Sequence, residues 1–196
     1  QLLATHLQID SGLQESVHEH LLNGKSLQFP IKTWLNSSQA LTSATQKVHV
    51  GANKARLDKA LITFKATNDV EVRDLRLPTG SFELDVSLGS KRVPERVMTS
   101  IADFWNLLLK TVPRGSLLDI DRAEYAEQTN ASTQKKFIAA IPFERLPNMF
   151  ATGSNQVGGD LLTVSVKNAG GCDEVYIFCE YTGVVELKDS EIAFYS

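Results

Sequence analysis

The sequence predicts a mainly β chain: an antiparallel β-sandwich of jelly-roll type with two short helices, one N-terminal and one between strands. Three observations carry that expectation. About eight or nine short segments alternate apolar and polar residues with the period of two that a half-buried strand requires. Turn residues rich in Gly, Asn, Asp and Pro separate these segments. Only two stretches have helical spacing, so strands do not alternate regularly with helices, and a doubly wound parallel sheet is disfavoured. A chain of 196 residues suits one domain and buries enough surface to need no disulfide or metal staple.

Residues 1–26 read as an N-terminal helical segment and 27–196 as a single sandwich domain. In the first, Ser11-Gly12-Leu13-Gln14 fits a capping box, Leu13, Val17 and Leu21 share a helix face, and Asn23-Gly24 supplies a stop. Leu27 to Ile31 then begins a strand, with Pro30 marking an edge or a bulge. Asn36-Ser37-Ser38-Gln39 reads as a turn, Lys47 to Val50 as a short strand, and the continuous apolar run Ala60 to Phe64 as a central one. Residues 67–80 are loop-like. Phe82, Leu84, Val86 and Leu88 alternate with Glu83, Asp85 and Ser87, a strand with one wet face.

Ser100 caps the second helix, with Asp103 placed to close the cap. Ile101, Phe104, Trp105, Leu108 and Val112 form its apolar face, and Pro113-Arg114-Gly115 ends it. Residues 114–135 form a long polar excursion, of the kind that carries contacts. Strands follow at 137–143, 162–166, 174–182, 184–187 and 192–194, with turns at 152–159 and at Asn168 to Gly171. The distinctive aromatic residues (Phe29, Trp34, Phe64, Phe82, Phe104, Trp105, Phe137 and Phe178) are expected mostly in the core.

Composition excludes some function classes. Lys and Arg total 20 against 23 Asp and Glu, a net charge of −3, without the basic excess of a strong nucleic-acid binder. No apolar run approaches the ~20 residues of a membrane-spanning helix, so no membrane partner is expected. The chain begins with Gln1 rather than Met, and no signal-peptide pattern is visible. Cys172 and Cys179 lie across one extended segment, whose length of ~23 Å is too great for a disulfide. Two reduced thiols are the expectation, which favours an intracellular history.

Chemistry-bearing clusters fare no better. His18 and His20 lie two apart on a helix, ~200° around its axis, and cannot face one ion. His6 and His49 are isolated, and the Glu that a cupin metal site needs after its His-x-His does not follow His20. Asp119 and Asp121, and Asp69, Glu71 and Asp74, read as solvated loop carboxylates rather than an acid–base pair. No nucleophile elbow occurs, and the glycine-rich stretch Gly153 to Gly159 lacks the Lys-Ser/Thr ending of a phosphate loop. Lys91 to Arg96 is a short basic patch partly offset by Glu95, and the triplets at Asn36 and Asn130 match glycosylation sequons. The sequence therefore assigns no catalytic residue, no cofactor site and no metal site.

Two stretches carry a family resemblance: Leu57 to Phe64, then Phe82 to Pro94, with the helix Ile101 to Val112 directly after. Gly159 to Val164 and Val175 to Phe178 stand as closing strands. In this pattern the chain resembles the capsid-forming jelly rolls of icosahedral viruses. The resemblance implies a structural, non-enzymatic protein of the virion, assembled in the host cell. It also implies self-association, commonly as trimers, contact with other capsid proteins, and genome contact at most through residues ahead of Gln1. It is compatible with one jelly roll of a longer, two-barrel subunit. Two other readings stay open. A carbohydrate- or protein-binding sandwich would expose Trp34 and Tyr181 on one sheet face, and a cupin-like metalloenzyme would hold a transition metal.

Overall fold

The computed structural model describes residues 10–51, 56–67, 69, 74–112, 120–127, 135–144, 153–154, 160–188 and 191–195. The chain forms two compact units, Lys32–Thr182 and a smaller one that joins Gln1–Ile31 to Gly183–Ser196. In chain order the first elements are α1 (Ser11–Leu22), β1 (Leu27–Ala40), β2 (Thr45–Val50), β3 (Leu57–Lys65), β4 (Glu83–Leu88) and β5 (Lys91–Arg92). After them come α2 (Ile101–Thr111), α3 (Arg122–Ala126), β6 (Ala139–Pro142), β7 (Leu162–Lys167), β8 (Glu174–Lys188) and β9 (Glu191–Tyr195).

Two sheets make the larger unit. One has the order β1-β8-β3-β6 and the other β2-β7-β4-β5. The neighbours β1/β8, β2/β7, β3/β6 and β4/β5 are nested, as in one long ribbon whose tip is β4–β5. Rolling that ribbon brings β8 beside β3 and β7 beside β4, which is jelly-roll topology. Every pairing with a defined register is antiparallel. The fold is therefore the mainly β jelly-roll sandwich that the strand pattern predicts.

The registers place the apolar residues. Val48, Val164 and Val86 stand in one row of the second sheet, and Val50, Leu162 and Leu88 in the next. In the first sheet Ala60 pairs with Cys179, Ile62 with Ile177 and Phe64 with Val175, and all six are buried. Aromatic rings join these faces to the helices. Phe64 lies 5.2 Å from Phe82, Phe82 5.6 Å from Phe104 and Phe104 5.4 Å from Phe137, centroid to centroid. Phe104 and Leu108 are the buried residues of α2, and Tyr125 of α3 is buried beside Trp105 and Phe137. The Tyr125 hydroxyl donates to the Ile138 carbonyl at 2.8 Å, which satisfies the polar end of a buried ring.

Several sequence expectations change. The N-cap of α1 is Asp10 rather than Ser11, and it makes no side-chain cap bond. Asp103 pairs with Arg96 at 2.6 Å, while Ser100 caps α2 by accepting from the Ala102 amide. Asn36 to Gln39 continue β1 instead of turning, because alternate half-burial of Leu35, Ser37 and Gln39 tolerates small polar side chains on an edge strand. Residues 174–188 are one strand: Gly183 does not break it, and the Phe194 ring packs where a side chain would stand. The polar excursion contains a third helix, α3, which Asp121 and Glu124 open as a capping box. Phe29 and Trp34 are exposed rather than in the core, since both lie on outward or uncovered strand faces. His6, Glu71, Asp119, Asn130 and the turn residues 155–159 lie outside the described residues.

Cys172 and Cys179 are free and buried. Burial pushes their thiols up, to about 12 and about 11 respectively. Neither is expected to react with a thiol reagent at pH 8 in the native protein, and both react after unfolding. Rapid native labelling of either, read by mass spectrometry, would contradict this packing. Phe104→Ala is expected to destabilise the larger unit by about 3–5 kcal/mol, the usual range for emptying a buried phenylalanine site. Denaturant unfolding measures it, and a loss below about 1 kcal/mol would place Phe104 outside the core.

Candidate interaction faces

Within the larger unit the outward faces of the two sheets differ in chemistry. On the second sheet the outward rows are Thr45–Lys167–Glu83, Lys47–Ser165–Asp85 and His49–Thr163–Ser87. All nine side chains are polar. Lys167 pairs with Glu83 at 3.0 Å, Arg92 of β5 with Asp85 at 2.8 Å, and His49 Nδ1 lies 3.1 Å from the Thr163 hydroxyl. His49 is thus a cross-strand surface residue. Arg92 and Arg96 of the basic patch are each held by a carboxylate.

On the first sheet the outward pairs of β3 and β8 are Lys59–Glu180, Leu61–Phe178, Thr63–Tyr176 and Lys65–Glu174. The middle of that face is apolar. Leu61, Phe178, Leu75 and Ile138 line a groove of about 470 Å³, with Thr63, Tyr176 and Lys65 at its polar margin. Leu75 reaches the groove because residues 74–76 run beside the start of β6, with a parallel bridge between Leu75 and Lys136. Two ion pairs fix that segment. Asp74 is buried against Lys135 at 3.4 Å, and the Asp69 carboxylate is buried against Arg76. The sequence reads both carboxylates as solvated; it does not show that Arg76 folds back onto Asp69 within the same loop, nor that Lys135 reaches Asp74 from far along the chain.

A charged cluster closes one end of the same face. The β3 register shifts between Leu57 and Lys59, and this irregularity sets Asp58 apart, 2% exposed. Its carboxylate accepts from Lys32 Nζ at 2.6 Å and from the Thr182 hydroxyl. Lys32 Nζ also lies 3.2 Å from Glu144 and 3.6 Å from Glu180, and Lys59 lies 3.1 Å from Glu180. Gly153 approaches so closely that a Cβ there would stand 2.6 Å from Asp58 Oδ1. The Lys59 ammonium sits 5.8 Å above the exposed Trp34 ring. The Lys32, Asp58, Lys59 and Glu180 side chains are engaged with one another, so the cluster ties β1, β3 and β8 together and presents no free nucleophile.

Other sequence candidates are not brought together. His18 is exposed and His20 half-buried on α1, and Tyr181 is buried with its phenol pushed up by that burial. Trp34 and Tyr181 therefore do not form the shared exposed platform a carbohydrate site would need. Among the described residues no group of three or more His, Cys, Asp or Glu is arranged to hold a metal ion, and no helix is long and apolar enough to cross a membrane. Sequence reading missed Asp58 and Glu180 because only the fold sets their charges beside Lys32. Sequence reading also misses the apolar outward pair Leu61–Phe178: Phe178 stands among the aromatics expected in the core, and only the β3–β8 register turns it outward.

No family model matches the sequence, and no curated protein matches it. Solved structures do match in fold. A chain of the PBCV-1 virus capsid, from a quasi-atomic model, superposes with a TM-score of 0.55 at 8% identity, over 94% of this chain and 54% of that one. PBCV-1 VP54, fitted into a reconstruction of the virophage Sputnik, gives 0.56 at 9% identity, over 96% and 55%. A chain of the virophage Sputnik itself gives 0.50 at 10% identity, over 86% and 38%. The chain spans about half the length of the first two. At such identities the likeness is one of fold: this chain has the jelly-roll sandwich of the matched chains.

The charged cluster generates a pH test. Burial pulls the Lys32 ammonium down, but its hydrogen bonds and attraction to Asp58 and Glu144 outweigh this and raise it above the ordinary 10.5. Its contribution to stability is complete below 10.5 and is lost as pH rises through the higher folded value. Lys32→Met should remove that alkaline loss while lowering stability at pH 7. Thermal melts across pH 9 to 12, an interval set by lysine titration, compare the two. Equal alkaline slopes would contradict the pairing.

Proposed function

We propose that this chain is a structural subunit of a viral capsid, built to associate with copies of itself and with other capsid proteins. The observation that carries the reading is the nested strand order, β1-β8-β3-β6 over β2-β7-β4-β5, shared in fold with a PBCV-1 capsid chain. The unequal outward faces support it. A sandwich working alone keeps both outer faces wet, whereas here one face is polar and the other carries an apolar groove. The small negative net charge favours protein partners over nucleic acid. The role is non-catalytic, and the location is the virion after assembly in the host cell. The trimer is the assembly this reading expects.

Light scattering on the eluting protein, with negative-stain electron microscopy of the same fractions, tests this. The expected result is a mass of three chains or a multiple of three, and discrete capsomer-like particles. A single-chain mass at every accessible concentration would contradict it.

A further inference from the structure

Within the larger unit four strands end the two sheets: β1 and β6 in the first, β2 and β5 in the second. A terminal strand exposes unpaired N–H and C=O groups, and proteins guard such edges by shortening them or by placing lysine or proline there. β5 has 2 residues, β6 has 4 and ends at Pro142, and β2 has 6 with Lys47 exposed along it. β1 is different, with 14 residues. Pro30 lies ahead of residues 32–40, the part in the larger unit, and the lysine of that part, Lys32, is bound to Asp58. Among the described residues β1 has β8 on one side and no strand on the other.

Local bonds show which backbone groups meet the open side. The Leu41 amide, at the end of β1, donates to the Asp173 carbonyl at 2.7 Å, just ahead of β8. The Thr33 hydroxyl donates to the Tyr181 carbonyl of β8 at 3.4 Å. Successive residues of a paired strand turn their backbone groups to opposite sides, so the odd-numbered residues from Thr33 to Leu41 face β8. Lys32, Trp34, Asn36, Ser38 and Ala40 then direct their N–H and C=O groups to the open edge. All five are exposed, and together they span about 27 Å of extended chain.

We propose that the outer edge of β1 accepts an extended, uncharged segment of a partner chain as an added strand. Another extended backbone is the partner that satisfies such a row at every second residue, as in other cases of strand addition. Side chains along the row set the character of the segment. Trp34, Asn36, Ser38 and Ala40 on one face, and Leu35, Ser37 and Gln39 on the other, carry no charge. A charge on the incoming strand would lose water there without gaining an opposite charge. An apolar residue on its inner side would lie against Leu35, which is half-buried at the margin of the core. Giver and receiver are different surfaces, so the contact is heterologous and compatible with assembly in threes. The inference goes beyond the capsid reading and stands without it.

Amide hydrogen exchange by NMR on the full chain tests the proposal. In the dilute chain alone, the amides of Trp34, Asn36 and Ser38 should exchange at least tenfold faster than those of Leu35 and Ser37. Slow exchange of all five would mean that the edge is already paired within the chain, and would overturn the proposal. The probe is an acetylated peptide alternating threonine and valine, with lysines beyond the pairing residues for solubility. It should slow the Trp34, Asn36 and Ser38 amides at least tenfold. Asn36→Pro removes one outward N–H without touching the bonds to β8, a place where edge strands tolerate proline. This variant, checked for folding by circular dichroism, should bind the peptide at least tenfold more weakly, while Asn36→Thr binds it as the wild type does. The wild-type exchange rates decide the matter even where the proline variant does not fold. Absence of protection at millimolar peptide, or equal protection in folded Asn36→Pro, would overturn the added strand and leave the capsid reading standing. Protection that arises on concentrating the chain alone, with a mass of two chains, would make the occupant the same edge of a second copy and overturn the partner segment.

Discussion

The ring contacts of Phe64, Phe82, Phe104 and Phe137 are what the larger unit depends on. Phe64 comes from β3, Phe82 from just before β4, Phe104 from α2, and Phe137 from just before β6. These positions are distant in sequence, so their contact closes the long loops of a nested ribbon and must offset the entropy of closing them. Each ring buries roughly 150–250 Å² of surface, so this cluster is a large apolar contribution to the fold. Around it the rest follows. β3 becomes a central strand, β4 takes its place beside β7, and the helices α2 and α3 are packed in through Phe104 and Tyr125.

Periodicity made most of the strands legible. The alternation from Phe82 to Leu88 and the apolar run from Ala60 to Phe64 needed no knowledge of neighbours, because burial on one face or two leaves a direct trace in residue type. Asn36 to Gln39 did not, since small polar residues serve an edge strand as well as a turn. Gly183 misled for a related reason: it resembles a breaker in sequence, but in space it is the gap that Phe194 fills. Charges were the least legible. Asp58 sits in an apolar strand and Asp69 and Asp74 in a polar loop, yet the side chains of all three are buried against a cation, Lys32 and Lys135 from distant parts of the chain and Arg76 from seven residues on.

The interaction faces divide in the same way. The polar rows Thr45–Lys167–Glu83 and Lys47–Ser165–Asp85 could be read as a wet face from the strands alone. That Leu61 and Phe178 meet on the outward side of the other sheet required the β3–β8 register. That Trp34, Asn36 and Ser38 turn their amides to an open edge required the bond between Leu41 and Asp173. No arrangement of a nucleophile with a base emerges among the described residues, and the most elaborate polar cluster, around Lys32 and Asp58, consists of mutually paired charges.

The central claim is that the chain associates and covers the apolar outward face of the first sheet while the polar outward face stays in water. Hydroxyl-radical footprinting of dilute and concentrated protein measures that side chain by side chain. The account predicts that oxidation of Trp34 and Phe178 falls as concentration rises, while oxidation of His49 stays constant. Oxidation of Trp34 and Phe178 that is independent of concentration, or a fall confined to His49, would contradict it.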